Sequence, residues 1–235
     1  MKLRSLAVAC LFSMVAVPAL AADLPARMVT KAPMMAPAFS WTGFYIGGNV
    51  GWGWGETHGT LAPTAGFGNF DIDGLVGGGQ VGFNYQMSNW VFGIEADYQG
   101  ADIDGTSNAI AGNAMVVNVE RYGTVRGRLG FAWDRWMAYG TGGYAFGARV
   151  TTNTTIPTAL FTPTSNTLDG WAAGAGVEYA FAPNWSAKLE YLHVDLDTRT
   201  YPVNAGCVAA PATCQLGTRL DTVRLGVNWR FMGGL

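Results

Sequence analysis

Four carboxylates, Glu95, Asp97, Glu178 and Glu190, and five cations, Arg126, Arg128, Lys188, Arg224 and Arg230, are the residues of this chain best placed to do chemistry. They recur at alternate positions among large apolar residues, so in an extended chain they share one face. Paired carboxylates can hydrolyse a glycosidic bond, one as acid and the other as nucleophile or base. Here guanidinium and ammonium groups are interleaved with them on the same face. Charges withdrawn from water must be paired. The interleaving therefore favours a structural ion-pair network over a catalytic dyad, and no catalytic residue is assigned.

Other motifs carry less chemistry. Gly77-Gly78-Gly79-Gln80-Val81-Gly82 fits the G-x-G-x-x-G fingerprint. A dinucleotide site needs a helix after it, whereas Phe83-Asn84-Tyr85 continues an alternating, strand-like pattern. The glycines suit a tightly curved sheet instead. Cys207 and Cys214 lie close together in a Pro/Ala/Thr-rich segment, and in an exported chain the default is a disulfide. Zinc would need further ligands, and the only histidines, His58 and His193, are far away in sequence. His193 stands near Asp195, but no serine completes a hydrolytic set. No metal or cofactor is expected.

The elements that position the charges are strands. In the C-terminal stretch Val223, Leu225, Val227, Trp229 and Phe231 alternate with Thr222, Arg224, Asn228 and Arg230. One face suits lipid and the other a polar lumen. Eight segments alternate in this way: 43–54, 74–86, 90–99, 120–131, 136–147, 170–181, 185–194 and 219–231. Tight turns at Met87-Ser88-Asn89, Trp133-Asp134-Arg135 and Ala182-Pro183-Asn184 alternate with long polar links at 55–73, 100–119, 148–169 and 195–218. The expected fold is all-β: an eight-stranded antiparallel transmembrane up-and-down barrel with three short periplasmic turns and four long outer loops. Aromatics are expected to ring both membrane edges. Trp41, Tyr85, Trp90, Trp136, Trp185 and Trp229 fall at the periplasmic side, and Trp52, Trp54, Tyr98, Trp171 and Tyr191 at the outer side.

Composition agrees. Only 13% of residues are charged, against about a quarter in soluble proteins. The net charge of −2 gives no electrostatic case for nucleic acid. Lys2 and Arg4, an apolar run and Ala19-Leu20-Ala21 form a secretory signal peptide, residues 1–21. Cys10 lacks a lipoprotein context and would leave with it. Residues 22–40, with Pro25, Pro33 and Pro37, are expected to form a flexible periplasmic linker, 41–231 the barrel and 232–235 a short tail.

Several strands resemble a known family. Ser40-Trp41-Thr42-Gly43-Phe44-Tyr45-Ile46-Gly47-Gly48-Asn49 is similar to the opening strand of the outer-membrane immunogenic proteins, small porin-family barrels related to the OmpA-like β-barrels. Asn89-Trp90-Val91-Phe92-Gly93-Ile94-Glu95-Ala96-Asp97, Gly123-Thr124-Val125-Arg126-Gly127-Arg128-Leu129-Gly130, Tyr139-Gly140-Thr141-Gly142-Gly143-Tyr144-Ala145-Phe146-Gly147 and 221–231 resemble its later strands. Arg224, Gly226, Trp229 and Phe231 resemble the family's barrel-assembly signal, although Met232-Gly233-Gly234-Leu235 follow here. The cysteine pair has no counterpart in the family pattern.

The expected role is non-enzymatic: a barrel of the Gram-negative outer membrane that supports the envelope and displays loops, its lumen plugged by the ion pairs. The alternatives are a narrow pore, as the porin label implies, and a surface receptor for haem or a host ligand through loops that include His58. Expected partners are outer-membrane lipid and lipopolysaccharide, with periplasmic chaperones and the barrel-assembly machinery during biogenesis. A monomer is favoured.

Overall fold

Long runs in which every second residue is large and apolar pair readily as strands, because the intervening small and polar residues all fall on the other face. The structure, a computed structural model, describes residues 39–62, 65–107, 114–156, 159–160, 164–203 and 212–231. The expected signal peptide, most of the linker, Cys207 and the tail lie outside the described residues. So does the side chain of Cys214.

Eight long strands form the sheet: β1 (Gly43–Ala62), β2 (Ala65–Met87), β3 (Trp90–Ser107), β4 (Ala114–Trp133), β5 (Trp136–Ile156), β6 (Thr164–Ala182), β7 (Trp185–Val203) and β8 (Ala212–Phe231). Ala159–Leu160 adds a two-residue pairing at the end of β5. Each strand pairs antiparallel with its chain neighbour, and β1 pairs with β8, so the sheet closes into a barrel. In lipid this closure leaves no backbone edge unpaired. Tight turns fall at Ser88–Asn89, Asp134–Arg135 and Pro183–Asn184, with left-handed backbone at Ser88 (φ 56°) and Asp134 (φ 55°). Asn89 Nδ2 donates to Ala132 O at 2.9 Å and Asn184 Nδ2 to Arg230 O at 2.7 Å, tying two turns to the next strand.

The long links are not loops through most of their length. β1 runs on to Ala62 and β2 starts at Ala65, and the other three pairs extend similarly. Strands of 18 to 23 residues are about twice what a bilayer crossing needs. Their outer halves therefore stand beyond the membrane, where the inside–outside pattern inverts. On β7, Ser186, Lys188 and Glu190 point inward, and so do Leu192, Val194 and Leu196 above them. Outside, Leu189 gives way to His193, Asp195 and Asp197. Ile72, Val76, Ile103, Val117, Val119, Val150, Leu168 and Leu220 join this upper apolar core. Facing water outside, the upper barrel is built like a soluble one.

Of the aromatics expected at the two rims, all lie exposed on the outer wall except Trp41. It is 0% exposed and packs inside the periplasmic end against Val91, Ala132, Met137, Tyr139 and Ala180, with Phe39 edge-on at 5.1 Å. The chain before β1 turns under the barrel, held by Trp41 N–H to Gln86 Oε1 at 2.7 Å and Gln86 N–H to Thr42 Oγ1 at 3.0 Å. An indole carries more apolar surface than any other side chain, and the open mouth gives it a dry place. Phe39 and Ser40, at the end of the expected linker, belong to this packed segment.

The two-zone wall makes a contrast on one face of one strand. Val81 and Asp71 both point outward on β2. Val81→Arg is expected to destabilise the barrel by about 2–4 kcal/mol, since it places a cation in lipid. Asp71→Arg should change stability by less than about 0.5 kcal/mol. Urea unfolding of each variant in detergent measures both, and equal losses would place the membrane boundary elsewhere.

Candidate functional site

The interior at membrane level is the candidate site. Sheet register sets it up: Glu95 lies directly opposite Arg126, Asp97 opposite Thr124, Glu178 opposite Lys188 and Glu190 opposite Arg224. Each of these residues points into a lumen only about one side-chain layer wide. The side chains then bond across the barrel as well as along its wall.

Glu95 on β3 is the hub. Its carboxylate lies 2.8 Å from Arg126 Nη2, 3.3 Å from Arg128 Nη1 and 3.0 Å from Lys188 Nζ, and accepts the Tyr45 hydroxyl at 2.8 Å. Asp97 takes Arg126 at 2.6 Å, Arg224 at 3.3 Å and the Thr124 hydroxyl at 2.7 Å. Glu190 binds Arg126 at 3.2 Å and the Tyr139 hydroxyl at 2.8 Å, and pairs with Arg224. Glu178 holds Arg128 Nη2 at 2.8 Å and Asn228 Nδ2 at 2.9 Å, with Ser186 also donating. Arg128 additionally stacks over the Tyr139 ring at 3.9 Å. Four carboxylates meet four cations, all buried.

Two glycines make room for the tyrosines that serve the network. A Cβ at Gly82 would stand 2.4 Å from the Tyr45 hydroxyl, and one at Gly176 would stand 2.6 Å from that of Tyr139. Gly82 is the last glycine of the G-x-G-x-x-G string, which lies wholly within β2. Beside the ion pairs runs an amide relay: Gln80 Nε2 donates to Asn228 Oδ1 at 2.8 Å, and Asn228 passes on to Glu178. Period two puts Gln80, Asn228 and the two tyrosines on the inner face, but nothing in it marks them as partners of the charges. Their polar ends facing inward are the only signal.

Arg230 stands apart from the cations grouped with it from the sequence. Among the described residues it makes no ion pair. Its guanidinium lies over the Phe39 ring at 4.7 Å and the Trp41 ring at 4.6 Å, and donates to Ser40 O at 2.8 Å. It is two residues of β8 below Asn228, so it meets the aromatic stopper formed by Phe39 and Trp41 rather than the carboxylates. Of the terminal-strand signature, Arg224 points inward with its side chain buried, while Trp229 and Phe231 face outward. A Cβ at Gly226 would meet the Lys188 stem at 3.2 Å.

Outside the lumen, His193 Nδ1 lies 2.7 Å from Asp221 Oδ1, beside Trp171 at 5.4 Å, on the outer wall. Asp195, its sequence neighbour, instead pairs with Arg219 at 3.3 Å. The side chain of His58 lies outside the described residues.

A closed antiparallel barrel with an apolar belt, aromatic rims and charges turned inward defines an integral outer-membrane β-barrel protein. The chain belongs to the family of the outer membrane protein beta-barrel domain, whose model matches residues 7–231. It is 37% identical over 255 residues to the 31 kDa outer-membrane immunogenic protein of Brucella melitensis, covering 97% of this chain and 100% of that one. It is 32% identical to the 22 kDa outer membrane protein of Rhizobium leguminosarum bv. viciae, covering 86% and 82% of the two chains. Among solved structures, Neisserial surface protein A is similar at a TM-score of 0.45 and 13% identity, covering 81% of this chain and 98% of that one. The protein is one of the Gram-negative outer membrane.

Because Glu95 offsets three cations, Glu95→Ala should cost about 3–5 kcal/mol, the usual penalty for stranding buried charge. Trp41→Ala should cost a similar amount, about 3–5 kcal/mol, through the cavity left at the mouth. Urea unfolding in detergent measures both. A loss below about 1 kcal/mol at Glu95 would mean the network does not hold the barrel together.

Proposed function

We propose that the protein is a non-catalytic envelope barrel whose lumen is closed and whose protruding outer end is displayed at the cell surface. The observation that carries this reading is that side chains of three kinds occupy the interior from bottom to top. Trp41 lies at the periplasmic mouth, the carboxylate–guanidinium network at membrane level, and the apolar cluster around Val119, Val150 and Leu192 above. A permeating ion would have to cross the upper layer, whose described buried side chains are mainly apolar and offer little to replace its hydration shell. On this reading the partners are membrane lipid and lipopolysaccharide. Periplasmic chaperones and the assembly machinery act during biogenesis, the machinery reading Arg224, Gly226, Trp229 and Phe231. The barrel acts as a monomer.

Planar-bilayer recording tests the reading directly. The wild-type barrel is expected to show no steady single-channel conductance, and Trp41→Ala alone should not open one, because two layers remain above it. A large, stable conductance from the wild type would overturn the closed barrel and establish the porin alternative.

A further inference from the structure

We infer that the periplasmic mouth of the barrel holds one small inorganic anion of halide size, bound between Arg230 and Trp41. The inference does not depend on whether the barrel conducts.

Charge balance is its first ground. The buried charges among the described residues are four carboxylates and five cations, so the interior carries one positive charge in excess. Arg126, Arg128, Lys188 and Arg224 each lie within 3.3 Å of a carboxylate. The surplus therefore falls on Arg230, which is 3% exposed. Asn228, the next inward residue above it on β8, leads to Glu178, but that carboxylate is already filled. It takes Arg128 at 2.8 Å, Asn228 at 2.9 Å and the Ser186 hydroxyl. A cation withdrawn from water without a counter-charge is costly. The faces of Phe39 and Trp41 beneath the guanidinium offset only part of that cost.

Unmet donors are the second ground. Arg230 Nη1 donates to Ser40 O at 2.8 Å, while Nη2 is buried without a hydrogen-bond partner. Trp41 is fully buried, and its Nε1–H is likewise without a partner. Both nitrogens belong to one stacked pair, the guanidinium carbon lying 4.6 Å from the indole ring. Both can only donate, so whatever completes them is an acceptor. A water would accept both bonds but leave the surplus charge uncompensated. An anion does both, and hydrogen bonds to an ion are the stronger kind.

The mouth selects for size. Phe39 and Trp41 pack edge-on at 5.1 Å across it, and the edge of an aromatic ring is its positive part. On β1, Gly43 is the inward position diagonal to Arg230 and adds no side chain there. Two donors and ring edges suit a monatomic anion of single charge. A phosphate or carboxylate would bring more oxygens than there are donors to meet them, and each unmet oxygen would be buried.

Chloride and bromide are the probes. Crystals of the full barrel grown in bromide should show an anomalous peak within hydrogen-bond reach of Arg230 Nη2 and Trp41 Nε1. In detergent, replacing high chloride by gluconate, too large for the site, at equal ionic strength should lower the folded-to-unfolded ratio in urea about tenfold. Arg230→Met should abolish both the peak and the chloride dependence, yet be no less stable than the wild type is in gluconate. Trp41→Phe keeps a ring at the mouth and should weaken the chloride dependence without removing it. Arg135→Ala, in a periplasmic turn, should leave it as in the wild type. No peak in the wild type, or one that survives Arg230→Met, would overturn the site. A peak with no chloride dependence of stability would mean an adventitious ion only, and would overturn it as well.

Discussion

Eight strands enclose a space about one side-chain layer wide, and this narrowness is the constraint on which the rest of the molecule depends. Whatever points inward is buried whether or not it is apolar. Arg126 and Arg224 are as deeply buried as Leu220 and Leu192. In a wide pore these groups could keep their hydration shells, and no pairing would be required. Here each must find its counter-charge within the lumen, which is why Arg126 reaches Glu95, Asp97 and Glu190 together.

The medium outside decides what the inside can be. At membrane level the outer face is spent on lipid contact, so apolar residues inside as well would turn each strand into a nearly unbroken apolar run. Eight such runs would be candidates for retention in the inner membrane during export. A polar inner face prevents that, and the pairing of its charges makes the burial tolerable. Above the membrane the outer face is wet and polar, and the argument reverses. There the inner face is free to be apolar, and Leu192, Val194 and Leu196 follow Lys188 and Glu190 on one uninterrupted face.

This reversal also explains what was legible in the sequence. Within the belt, period two and polarity agree, so the faces of β8 and the inward set of charges could be assigned from residues alone. Beyond Val194 or Trp54 the period persists, but polarity changes sides. A strand judged by an apolar outer face then looks as if it ends, which is why the upper halves of the strands read as loops. Trp41 reads as a rim residue for a related reason. A tryptophan just before the first strand fits an interfacial ring in sequence, and only the fold back under the barrel separates it from Trp90 or Trp136. Arg230 shares the inward phase of Arg224, yet its height on β8 delivers it to an aromatic pair instead of a carboxylate.

That last contact ties the two ends of the chain together. Phe39, Ser40 and Trp41 precede the first strand, while Arg230 is the penultimate residue of the last one, and β1 pairs with β8 at the closing seam. The guanidinium can lie over both rings only after β8 has paired with β1 in register, because a slip of one residue would turn Arg230 out to lipid. The stopper therefore adds its burial only to the correctly closed barrel. The same period-two rule that makes the strands amphipathic makes their final closure selective, since the contact rewards one register and penalises its neighbours.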